Sequence, residues 1–141
     1  MILDFDSEFT TSGGQVLTTT AAGTKVLDAG AARDWGAGDP VTPYIRIAST
    51  ADVNKLTSIT VDIENCTASG GTSPTVLSTV TILLAALLKN TVHRMPTLLA
   101  GTSKRYLRAN ITVTGTACDS GAKIIVGFAN GSRPQDGVNY L

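Results

Sequence analysis

KRYLRANITVTGTACDSGAKIIVGFA, residues 104–129, is the stretch that decides the fold class. Leu107, Ala109, Ile111 and Val113 fall on one face of an extended strand, and Tyr106, Arg108, Asn110, Thr112 and Thr114 on the other. That period of two is the mark of a half-buried strand. A turn-rich segment, residues 115–122, follows. Ile124, Val126 and Phe128 then alternate with Ile125, Gly127 and Ala129. A β-hairpin with a shared buried face is the favoured reading of this pair. The alternative is two strands in different sheets of a sandwich, because the loop exceeds the commonest hairpin turns. Both readings make the C-terminal third β.

Working outward, Pro43 opens a strand with Ile45 and Ile47 inward and Tyr44 and Arg46 outward. Residues 56–65 form the cleanest mid-chain strand, with Ile59, Val61 and Ile63 facing in and Thr60, Asp62 and Glu64 facing out. CTASGGTSP turns the chain, residues 75–84 read as another strand, and residues 85–89 fit either a strand end or a short helical turn. Residues 15–28 supply one or two short strands, QVLTT and TKVLD, and the glycine- and proline-rich residues 29–40 read as a loop. Seven or eight short strands with regular turn signals predict an all-β sandwich or barrel. The 21 threonines and 14 glycines agree, since threonine suits pleated strands and glycine suits turns. The expected organisation is an N-terminal arm at 1–14, a β-sandwich domain at 15–130 and a C-terminal tail at 131–141.

The 141 residues suffice for one domain with a true core. Eleven basic and eleven acidic residues cancel, so no net field draws the chain to nucleic acid or an anionic membrane. Only 16% of residues are charged and mean hydropathy is +0.18, which points to surface covered by a partner. MILDFDSEF has neither the basic nor the apolar region of a secretory signal, so a cytoplasmically made protein is expected. Cys66 and Cys118 each sit beside a turn; free thiols are favoured, and a bond remains open if the two turns share one end of a sandwich.

Chemistry-bearing patterns are scarce. His93 is the single histidine, which excludes a metal centre built on several. There is no nucleophile elbow and no phosphate-binding loop. Asp4, Asp6 and Glu8 put three carboxylates on one side of an extended segment, which is better read as a solvated or ion-paired arm than as a Ca²⁺ site. Asn65, Asn110 and Asn130 begin glycosylation-type triplets that are coincidental without export. No catalytic, cofactor-binding or metal residue is therefore expected. Arg33, Asp34 and Trp35 stand apart: the only tryptophan lies in a glycine-rich loop beside an adjacent arginine and aspartate. Trp35 either caps the open end of the core, with Arg33 and Asp34 fixing the loop, or anchors a partner.

Two blocks, VLDAGAARDWGAGDPVTPYIRI (26–47) and LLKNTVHRMPTLLAGTSKRYLRANITVTGTACDSGAKIIVGF (87–128), resemble by their order and spacing the family of tailed-phage capsid cement proteins typified by one from a Bordetella phage. The resemblance implies a jelly-roll-like antiparallel sandwich on the outer surface of the virion's head. It also implies a small homo-oligomer bridging neighbouring copies of the major capsid protein without catalysis or cofactor; a homodimer is expected first, because two-fold assemblies are commonest, and a homotrimer second. The residues expected to reach partners are Asp4, Phe5 and Phe9 of the arm, Arg33, Asp34 and Trp35 of the loop, and Arg133 and Tyr140 of the tail. A receptor- or glycan-binding module of a phage tail or fibre is the alternative. An enzyme using Asp62, Glu64 and His93 is the more remote one.

Overall fold

The computed structural model describes residues 3–11, 13–18, 20–38, 41–118 and 121–129. Among the described residues nine strands follow one another: β1 (Leu3–Glu8), β2 (Gln15–Val16), β3 (Ala21–Asp34), β4 (Pro43–Thr50), β5 (Leu56–Cys66), β6 (Thr75–Leu83), β7 (Val92–Arg94), β8 (Ser103–Gly115) and β9 (Ala122–Ala129). One-turn 3-10 helices at Val53–Lys55 and Leu84–Ala86 lead into β5 and out of β6. The second of these settles residues 85–89, where sequence periodicity left strand and helical turn both open.

The strands form two antiparallel sheets. One runs β1-β9-β4-β7, with β2 pairing further along β9, and the other runs β3-β8-β5-β6. From β2 onward successive strands alternate between the sheets except β5 and β6, which pair with each other, and this is the wrapping of a jelly roll. The expected sandwich is therefore present, and its core includes most of the inward positions read from the sequence, joined by Phe9, Leu17, Leu77, Leu87 and Met95. Ile59, Val61 and Ile63 of β5 are wholly buried, as are Ile45 of β4, Leu107 of β8 and Val126 of β9. Each side chain of this size contributes about 1.5–3 kcal/mol when removed from water.

Three expectations are corrected. First, β8 and β9 are not a hairpin. β8 pairs β3 and β5, whereas β9 pairs β1, β2 and β4 in the facing sheet. Alternation reports which residues face a core but not which sheet carries them, so a long connection is free to cross. Here the crossing is held by its own backbone bonds. Thr116 donates to the Lys55 carbonyl at 2.9 Å, Cys118 donates to the Leu17 carbonyl at 2.9 Å, and the buried Cys118 thiol reaches the Asp52 carbonyl at 3.2 Å.

Second, the segment read as an arm enters the sandwich. β1 pairs β9, and Phe9, just beyond it, joins the two sheets: its N–H donates to Val126 of β9 at 2.7 Å, and its carbonyl accepts from Lys25 of β3 at 3.0 Å. The Phe9 ring is fully buried and meets Phe128 edge-on, with centroids 5.5 Å apart. Third, residues 29–34 belong to β3 rather than to a loop. Gly30 adopts φ +77°, and the pairing with β8 slips between Asp28 and Arg33. This is a bulge that only glycine accommodates cheaply, so the glycine marks a kink within the strand and not its end.

Candidate binding surface

The loop after β3 is built from Asp34. Its Oδ1 accepts the Gly36 N–H at 3.1 Å and its Oδ2 accepts the Gly101 N–H at 2.8 Å, tying residues 34–36 to the segment before β8. Gly36 lies so close to the backbone of Leu99 and Ala100 that any Cβ there would collide with it. Trp35 packs part-buried against the core, and the Arg33 guanidinium sits 5.0 Å from its ring centroid. This is a cation–π contact with the charge facing solvent. The indole Nε1 is buried and makes no hydrogen bond. Asp34 is thus a loop-fixing residue, a correction to its expected role as a contact, because both its oxygens are engaged within the chain. Trp35 does cap the core, while Arg33 over it remains exposed.

Phe9 is likewise corrected: a fully buried ring that joins the sheets is not available to a partner. Asp4 and Phe5 lie in β1, and their side chains are outside the described residues, as are Arg133 and Tyr140. Glu64 reads from the sequence as outward-facing with Asp62. It is buried instead, its Oε2 accepting from Arg108 Nε at 2.8 Å, while Arg108 also donates to the Gly70 carbonyl at 3.3 Å. Asp62 and Glu64 belong to β5 and His93 to β7 of the other sheet. The His93 ring is bonded locally, to the Ala86 carbonyl at 3.0 Å. The fold does not assemble these three residues into one site.

What sequence reasoning missed is a flank. Phe9 closes one side of the sandwich. On the other side the segment after β7 closes only one end, where Met95 donates to Pro43, Leu98 to Val41 and Leu99 to Leu77 of β6. Beyond it, β6 and β7 leave an open groove of about 580 Å³ whose lining includes Val80, Thr81, Ile82 and Leu83 on β6 and Val92 and the charged Arg94 on β7. The exposed large apolar side chains of the described residues all lie on this part of the chain. They are Val76, Leu83, Leu88, Val92 and Leu99, with Leu83 and Leu99 63% and 64% exposed. The backbone of Leu99 lies against Gly36, which sets this exposed leucine beside the Arg33–Trp35 loop. The missed signal lay in composition: residues 65–88 are 24 consecutive residues without a charge.

Fold and flank together define a jelly-roll sandwich with one closed side and one open apolar side. The chain belongs to the Bbp16 family, whose pattern covers residues 11–125, and this Bordetella-phage family marks it as a phage-derived structural protein. No curated protein matches the chain. Among solved structures, the crystal structure of PirA is similar over 79% of this chain and 87% of that one, at 8% identity and a TM-score of 0.37, too loose a likeness to argue from.

Proposed function

We propose that this protein is a capsid cement protein. It binds the outer surface of the phage head as a homo-oligomer, first of all a dimer, and bridges neighbouring major capsid subunits without catalysing a reaction. The observation that carries this reading is the exposed Leu99, whose backbone lies against Gly36 of the Arg33–Trp35 loop, in a member of a phage structural family. Exposed leucine beside a tryptophan–arginine stack is the composition of an interface core. A neutral, charge-poor chain has no electrostatic means of holding nucleic acid or an anionic membrane. The energetics are multivalent: one rigid oligomer that touches several subunits gains effective concentration, and avidity exceeds a single contact about a hundredfold or more.

Purified full-length protein is expected to co-sediment with undecorated heads at micromolar concentration. Leu99→Asp buries a charge in the contact and is expected to lower the affinity about tenfold or more. Wild-type protein that leaves heads bare but sediments with isolated tails would replace the cement reading with the tail one.

A further inference from the structure

Sheet edges invite pairing with other chains, and proteins normally blunt them with charge, bulges or brevity. Three of the four edges here are blunted in those ways. β1 pairs β9 with a register shift. β3 carries Lys25, Asp28, Arg33 and Asp34 and shifts register twice. β7 is three residues long. β6, TVLSTVTIL, is nine residues with no charge, proline or glycine. Leu99 covers its edge at Leu77, but among the described residues nothing pairs with the far side of residues 79–83.

We propose that residues 79–83 of β6 pair antiparallel with the same residues of a second copy, about a two-fold axis at Thr81. The axis lies at the midpoint of the free edge, the placement that uses all of it. Pairing then sets Thr81 against Thr81, Val80 against Ile82 and Thr79 against Leu83. A two-fold contact places every group near the axis against its own copy, so any charge there meets a like charge. The β6 strand itself has none to meet, nor has the chain from residue 65 to 88, and the one charged residue lining the groove, Arg94, belongs to β7 of the other sheet. Two polar partners of opposite charge would need no such strip; a self-pairing strand does. Val80 and Ile82 lie on the groove, so the second copy extends the apolar core across the axis and covers Leu83. Thr81, whose hydroxyl meets that of Thr60 at 2.8 Å, stays on the outer face.

This assigns a surface to the two-copy assembly of the proposed role and needs no head to be tested. Light scattering on the full-length chain is expected to show a dimer at micromolar concentration. Thr81→Lys sets two ammonium groups across the axis and weakens association about tenfold or more, with the far-ultraviolet circular dichroism unchanged. Thr81→Cys is expected to yield a disulfide-linked dimer on mild oxidation, while Cys66 and Cys118 are buried and add no background. A monomeric wild type overturns the proposal, including one whose amides at 79–83 are protected by its own residues 130–141. So does a dimer that Thr81→Lys leaves intact, or one that Thr81→Cys does not cross-link. A cross-linked dimer that ignores heads supports this pairing and contradicts the cement role; a monomer that binds heads does the reverse.

Discussion

Single residues here mostly hold the fold in place. Cys66 and Cys118 are both free and buried, and burial pushes the Cys66 thiol above its ordinary value. The thiolate is the reactive form, so both sulfurs are expected to resist a thiol reagent in the native protein and to react fully in guanidinium. One equivalent reacting quickly without denaturant would contradict that. Asp28 has the opposite electrostatics. Arg105 clamps it through two bonds, Nε to Oδ1 at 2.6 Å and Nη2 to Oδ2 at 2.8 Å, and the Gly30 N–H of the bulge adds a third at 2.8 Å. These bonds, led by Arg105, hold the Asp28 carboxyl down at about 2, against an ordinary 3.8. A carboxyl depressed on folding stabilises the native state above its unfolded value and ceases to as pH falls through the folded one. The melting difference between wild type and Asp28→Asn should thus be full above pH 4 and vanish toward pH 2. It should also shrink in salt, because the pair is exposed. A difference constant from pH 7 to pH 2 would rule the clamp out.

At the scale of elements, strand interiors were readable and strand partners were not. Ile59, Val61 and Ile63 alternate because one face of β5 meets a core, and that alternation is local. Nothing local told β9 to leave β8 for the facing sheet. The bonds that hold the crossing join Cys118 to Leu17 and Thr116 to Lys55, residues far apart in the chain. β3 was cut short for a related reason: Gly30 reads as a breaker, and only pairing with β8 on both sides reveals a bulge. The loop that follows depends on close approach rather than on side-chain chemistry. Gly36→Ala drives a methyl into the Leu99–Ala100 backbone and is expected to destabilise the protein by about 1–3 kcal/mol, as overpacking does. Urea unfolding measures this directly, and an unchanged midpoint would show that the loop yields.

At the scale of the whole molecule, the asymmetry between the two flanks organises the account. Phe9 seals one side by bonding both sheets, while the β6–β7 side is sealed at one end only and carries the exposed leucines and valines. Half of the candidate surface was visible beforehand, since Arg33 and Trp35 stood out as a charged residue and an indole in a glycine-rich loop. The other half was hidden because Leu83, Leu88 and Leu99 look like core residues until the fold puts them outside. Hydropathy cannot distinguish a leucine buried in its own domain from one that awaits a neighbour. The central claim is that this apolar surface joins neighbouring capsid subunits. An electron-cryomicroscopy map of heads reconstituted with the purified protein tests it most directly. The account predicts jelly-roll density on the outer face of the shell, spanning two capsid subunits with the Leu99–Trp35 surface against them. Bare heads, or density confined to the tail, would contradict it.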